Sequence, residues 1–152
     1  GAGLCGYAAW MLVYFVIAML VLMVYYVVRQ NQPPQSSRIT EVLGSNNPLV
    51  LVLVFTLATL WAPLVEETIF RGTLYRYWRV RVGLGAAAVG SAALFAMAHG
   101  YAPVQLGLVG MLGLGFALIR GWRGSIVPTM VAHGVHNFVV TTAMLVILGL
   151  SG

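Results

Sequence analysis

Residues 49–79 read LVLVLVFTLATLWAPLVEETIFRGTLYRYWR, an apolar run that leads without a turn signal into two adjacent acids and a group of arginines. An α-helix rises about 1.5 Å per residue, so about 20 apolar residues cross a bilayer. Pro63 kinks such a helix rather than ending it, and apart from Gly72 the other residues favour helix. We therefore predict one long, bent membrane helix that carries two carboxylates at membrane depth.

The composition of the whole chain also indicates a membrane protein. Of its 152 residues, 61% are apolar and 7% are charged, whereas about a quarter of the residues in soluble domains are charged. Because a bilayer tolerates no open sheet and no lipid-exposed loop, we predict an all-α, multi-pass transmembrane helical bundle of about five spans. The single cysteine, Cys5, excludes an internal disulfide bond.

Polar or turn-forming segments separate the apolar runs. The predicted spans are residues 4–28, residues 49–79, two helices within residues 82–119, and residues 126–150. Residues 29–48 are rich in Gln, Asn, Ser and Pro, which predicts a solvated loop. Residues 99–103 predict the hairpin within the second apolar block, and residues 120–125 predict the last turn. Four glycines along the fourth span permit close helix packing.

The arginines predict the orientation of the bundle. Five of the eight fall on one side and two on the other, namely Arg76, Arg79, Arg81, Arg120 and Arg123 against Arg29 and Arg38. The positive-inside rule makes the first side cytoplasmic. Because most arginines lie at the ends of apolar runs, the membrane accounts for them, and nucleic acid is not an expected partner. The chain begins Gly-Ala-Gly without a signal-peptide pattern, so we expect it to be part of a longer protein.

The two adjacent acids are Glu66 and Glu67, and the only other acid is Glu41. An ionisable side chain at membrane depth is costly, so it tends to be kept where it pairs or performs chemistry. At 100° per residue, Arg71 lies about 40° around the helix from Glu67 but about 140° from Glu66. We expect Glu67 to pair with Arg71, and Glu66 to remain the freer carboxylate that suits a general base.

Histidines in the later spans are the natural partners of that carboxylate. From helical rise, Glu66, His99 and His133 lie roughly 20, 22 and 12 Å from the arginine-rich side, within one membrane layer. His133 and Asn137 share a helix face, and an imidazole with an amide can donate hydrogen bonds to an oxyanion. Phe95 lies one turn before His99 and is expected to pack over its ring.

Three short motifs in this order resemble those of a known family. Glu66 to Arg71 matches EExxxR, Phe95 to His99 matches FxxxH, and His133 to Asn137 matches HxxxN. Together they resemble the CAAX prenyl protease and bacteriocin-processing family, also called the type II CAAX endopeptidase or Abi family, over about residues 62–138. The family fold is an all-helical membrane bundle, typically with more spans than this chain has.

The resemblance implies a division of roles. Glu66 and His99 would activate a water for attack on a peptide carbonyl, while His133 and Asn137 would form the oxyanion site; Glu67, Arg71 and Phe95 would support the geometry. The substrate would be a membrane-associated or prenylated protein or peptide, and no cofactor is expected. On this basis residues 1–48 are an N-terminal transmembrane helix and polar loop, and residues 49–152 are the intramembrane protease core.

Other interpretations of the same residues remain open. The carboxylates could be a structural ion-pair node, and His136, which matches no motif, is expected to line a cavity or form a hydrogen bond. Glu66, His99 and His133 could instead bind zinc in a hydrolytic site with an open position. The same fold could serve as a non-proteolytic bacteriocin-immunity or scaffold protein. An ion transporter also explains intramembrane Glu and His, but no inverted repeat is found.

Overall fold

The computed structural model describes residues 2–29, 38–45 and 47–151, which form helices and short turns. The helices are α1 (Ala2–Val28), α2 (Arg38–Leu43), α3 (Pro48–Thr56), α4 (Ala62–Glu67), α5 (Tyr75–Ala98), α6 (Pro103–Arg123) and α7 (Val127–Ser151). Two π-helical segments interrupt the second predicted span. The first π segment, Leu57–Trp61, joins α3 to α4, and the second π segment, Thr68–Leu74, joins α4 to α5.

Helices long and apolar enough to cross a membrane account for most of the described residues. The four stretches are Ala8–Val28, Pro48–Ala98, Pro103–Arg123 and Val127–Gly149. Many large apolar side chains face outward, as expected where lipid covers them, and α1 is the most exposed helix. The predicted all-α transmembrane bundle is confirmed, and the protein is an integral, multi-pass membrane protein.

A turn at Gly83 folds the longest stretch back on itself. Gly83 has φ 82° and ψ 172°, a backbone conformation that is essentially restricted to glycine. Across this turn, Trp78 lies against Gly90, and Tyr75 packs with Ala87 in a buried cluster. α5 is therefore two antiparallel arms, which agrees with the predicted boundary between the second and third spans.

The arginine-rich ends of α5 and α6 lie side by side. Arg79 Nη1 lies 3.5 Å from the carbonyl oxygen of Gly121, across the two helices. The predicted hairpin is also present, because α5 ends at Ala98 and α6 begins at Pro103.

Two boundaries differ from the sequence predictions. α6 continues to Arg123, four residues into the predicted turn, because the left-handed residue that ends it is Gly124 (φ 68°) and not Gly121. The predicted polar loop lies partly outside the described residues, and its described part contains the helix α2. Six residues are too few for the sequence to show a helical period. Leu43, at the end of α2, is nevertheless buried, with 2% of its surface exposed.

Candidate active site

Glu67 and Arg71 form a fully buried ion pair at the centre of the bundle. Arg71 Nη1 donates to Glu67 Oε1 at 3.0 Å, and neither side chain is exposed. The other terminal nitrogen, Nη2, donates to the carbonyl oxygen of Gly113 on α6 at 2.7 Å. A Cβ at position 113 would lie only 3.1 Å from Nη2, so glycine permits this close approach. The pair predicted from helical spacing is present and also joins the second π segment to α6.

His133 on α7 connects this ion pair to Glu66. Its Nδ1 lies 3.0 Å from Glu67 Oε1, the same oxygen that accepts from Arg71. Because a carboxylate that binds a guanidinium accepts hydrogen bonds, Nδ1 of His133 carries a proton and donates it. The other ring nitrogen, Nε2, lies 3.8 Å from Glu66 Oε2. Glu67 therefore fixes the orientation of the imidazole.

His99 approaches Glu66 from the end of α5. Its Nδ1 lies 2.7 Å from the carbonyl oxygen of Phe95, which can only accept, so Nδ1 is the donor. Its Nε2 lies 3.8 Å from Glu66 Oε2, and the two side chains are 22% and 27% exposed. In a neutral His99 this nitrogen carries a lone pair that faces the carboxylate.

Glu66 is thus flanked by two imidazoles without a direct bond to either. A separation of 3.8 Å is too long for a hydrogen bond but suits a bridging water. Within the described part of the chain, Glu66 Oε2 is buried and has no hydrogen-bond partner. The structure brings Glu66, His99 and His133 together and leaves this carboxylate oxygen available for another donor.

Two phenylalanines pack against the charged groups. Phe95, 1% exposed, lies edge-on to His99 with ring centroids 4.7 Å apart, and the guanidinium of Arg71 lies 4.3 Å from its centroid. Phe116 on α6 stacks on His133 at 5.0 Å with an interplanar angle of 28°. The sequence predicted the contact of Phe95 with His99. Phe116 was missed because it belongs to no motif.

Asn137 and His136 contact the first π segment and α1, respectively. Asn137 Nδ2 donates to the carbonyl oxygen of Ala58 in the first π segment at 2.8 Å. His136 lies edge-on to Tyr14 of α1, with ring centroids 5.8 Å apart. The amide donor of Asn137 is therefore engaged with the backbone, and its role toward an oxyanion stays a prediction.

Tyr101, in the turn between α5 and α6, is a further neighbour of the site. Its ring centroid lies 5.5 Å from that of His99. Burial raises the pKa of the Tyr101 hydroxyl above its ordinary value of 10.0, and the negative charge of Glu66 raises this pKa further. Its place in the hairpin beside His99 was the only sequence signal that could have found it.

Among the described residues, no group of three or more His, Cys, Asp or Glu side chains is arranged to hold a metal ion. The zinc alternative stays a prediction. An open hollow of about 380 Å³ lies along the glutamate-bearing helix. It is lined by Val54, Leu57, Ala58, Trp61, Ala62, Val65 and Glu66. Its wall is apolar except for Glu66.

Comparison with known proteins places this geometry in a family. Residues 48–139, more than half of the chain, match the family model described as type II CAAX prenyl endopeptidase Rce1-like. No curated protein and no solved structure matches the chain. The matched region contains Glu66, His99 and His133 together with the Glu67–Arg71 ion pair, which orients His133. The chain therefore belongs to the Rce1-like family of type II CAAX prenyl endopeptidases.

Proposed function

We propose that this protein is an intramembrane endopeptidase that hydrolyses a peptide bond with a water activated by Glu66. The observation that carries the proposal is the position of Glu66 Oε2, 3.8 Å from Nε2 of both His99 and His133. A buried carboxylate oxygen without a hydrogen-bond partner is suited to accept a proton from a bound water. The two imidazoles are already oriented by bonds through their Nδ1 atoms.

In the proposed reaction, the water lies between Glu66 and His99. Glu66 takes one proton as the water oxygen attacks the peptide carbonyl carbon, which gives a tetrahedral intermediate with a negative oxygen. Glu66 then gives this proton to the peptide nitrogen as the C–N bond breaks. The products are a carboxylic acid and an amine, and Glu66 returns to its carboxylate form.

His133 is suited to stabilise the negative oxygen of the intermediate. When its ring carries both protons, Nε2–H can donate to that oxygen, while Glu67 on Nδ1 offsets the positive charge. Arg71 holds Glu67 in place from the opposite side. Glu67 and Arg71 therefore act through His133 and do not contact the substrate.

The surroundings of Glu66 support the proposed substrate class. The hollow that Glu66 lines is otherwise apolar, which favours a substrate that carries an apolar chain or lies in the bilayer. A membrane-associated protein or peptide meets this requirement, and a prenylated one would add a hydrocarbon chain next to the scissile bond.

The proposal is tested by mass spectrometry of peptides released from membranes of cells that produce the protein. Cells making the wild-type chain, Glu66→Gln and Glu41→Gln are compared. Glu41 is an exposed acid on α2, so its variant is a matched control for loss of one carboxylate. We expect a set of peptides that depends on Glu66 but not on Glu41. Identical peptide sets from all three would contradict the proposal and favour a binding or immunity role that does not need Glu66.

A further inference from the structure

One backbone carbonyl near the glutamates loses both of its possible helical donors. In an α-helix the carbonyl oxygen of Ala58 would accept from the N–H of Ala62, and in a π-helix it would accept from residue 63. The N–H of Ala62 is instead bonded to the oxygen of Leu57. Residue 63 is proline and has no N–H. The combination of a π register and Pro63 therefore leaves the Ala58 oxygen without a backbone partner in its own helix.

Asn137 on α7 supplies the missing donor. Its Nδ2 lies 2.8 Å from the Ala58 oxygen, within the usual range for a hydrogen bond. A partly buried carbonyl left without a donor is costly in an apolar environment. The side chain of Asn137 thus completes the hydrogen bonding of the glutamate-bearing helix at its break.

Two neighbours of Asn137 on α7 also pack closely against the first π segment and the end of α3. A Cβ built at Gly134, one turn before Asn137, would lie 3.0 Å from the oxygen of Thr59, so glycine is needed for this approach. Phe138 contacts Phe55 edge-on, with ring centroids 5.5 Å apart. α7 therefore packs closely against the first π segment.

The position of this bond bears directly on the candidate active site. His133 precedes Asn137 by four residues, about one helical turn, and it bonds to Glu67 at 3.0 Å. α7 therefore holds the glutamate-bearing helix at two points, before α4 through Ala58 and at the end of α4 through Glu67. These two bonds set how far His133 Nε2 lies from Glu66.

We propose that Asn137 is a positioning residue, whose amide replaces the backbone donor that Pro63 removes and thereby holds His133 in register with Glu66. This inference rests on the proposed function. It differs from a role as an oxyanion donor in one measurable respect, because a backbone N–H restored at position 63 would make the amide of Asn137 less necessary. An oxyanion donor would gain nothing from that change.

A double-mutant cycle of Asn137→Leu and Pro63→Ala tests the proposal. The four proteins are compared for melting temperature in detergent, and for kcat and KM on a fluorogenic peptide with a prenylated cysteine near its C-terminus. We expect Asn137→Leu to lower kcat by about 10- to 100-fold, with KM little changed, and also to lower the melting temperature. In the double variant we expect kcat within about threefold of Pro63→Ala alone, because the new N–H of residue 63 serves the Ala58 oxygen.

Each outcome decides between the two roles. A loss of about 10²- to 10³-fold on Asn137→Leu that Pro63→Ala does not reduce would overturn the proposal in favour of an oxyanion donor. Wild-type activity in Asn137→Leu would also overturn it. If Asn137→Leu does not fold, recovery of folding in the double variant supports the proposal, and failure to recover contradicts it. A wild-type chain that cleaves neither this peptide nor the peptides released from membranes contradicts the proposed function, whereas absence of rescue in an active chain contradicts only the role of Asn137.

Discussion

The buried ion pair should stabilise the fold more than any surface charge, and Arg71→Met is the perturbation that isolates it. Methionine keeps much of the length of the side chain but removes both of its hydrogen bonds, at 3.0 Å to Glu67 and at 2.7 Å to the Gly113 oxygen. It also removes the cation that lies 4.3 Å from the ring centroid of Phe95. The carboxylate of Glu67 then remains fully buried with His133 as its only described partner.

The size of the effect follows from that burial. Removing one partner of a buried pair costs about 3–5 kcal/mol, because the remaining charge is left uncompensated. For chains of this length each kcal/mol lowers the melting temperature by about 2–4 °C, so we expect a fall of about 6–20 °C. The double variant Arg71→Met with Glu67→Gln should recover part of this loss, since it leaves no unpaired charge.

The assay is thermal unfolding in detergent, followed by the fluorescence of the four tryptophans. Arg76→Met is the matched control, because Arg76 lies on the same helical stretch but is exposed. A fall in melting temperature no larger for Arg71→Met than for Arg76→Met would show that the buried pair adds no more stability than an exposed arginine. A double variant less stable than both single variants would show that the two side chains stabilise the fold independently.

Three further predictions follow from the turns and the site. Gly83→Ala should destabilise the fold by about 1–3 kcal/mol, since the backbone conformation of Gly83 suits only glycine. Gly85→Ala is the control and should not destabilise the fold, because the space around Gly85 is open. The melting temperatures of the two variants test this prediction. Because the pKa of Tyr101 is raised in the fold, its contribution to stability is present below about pH 10 and is lost as the pH rises through the folded pKa. Tyr101→Phe should therefore flatten the alkaline fall in melting temperature, and an unchanged fall would contradict the assignment. A chelator should leave peptide release unchanged if Glu66 acts as base, whereas loss that zinc restores would favour the zinc alternative.

The sequence predicted which glutamate pairs with Arg71, because the spacing of residues along a helix determines which side chains share a face. Glu67 and Arg71 are four residues apart and meet at 3.0 Å, although they lie at the start of a π segment. In either kind of helix residues four apart share a face, so the change of register did not disturb the prediction. The meeting of Glu66 with His99 and His133 was expected from similar depths in the membrane and from the family resemblance.

The parts that the sequence did not predict depend on backbone register and on close packing. The sequence of residues 57–61 and 68–74 does not predict a π-helix, because side-chain composition does not distinguish a π-helix from an α-helix. The bond from Asn137 to Ala58 depends on that register together with Pro63, so its partner was not foreseen. Phe116 of α6 stacks on His133 of α7, and this contact follows from the packing of the two helices and not from a motif.

The two adjacent glutamates are thus assigned different roles, Glu66 in the proposed reaction and Glu67 in the fold. The most direct measurement is the turnover of Glu66→Gln, at a concentration of folded protein matched to wild type by its melting curve. We expect turnover to fall by about 10²- to 10⁴-fold, as for loss of a general base, while the melting temperature stays close to that of wild type. Turnover retained in folded Glu66→Gln would contradict the claim.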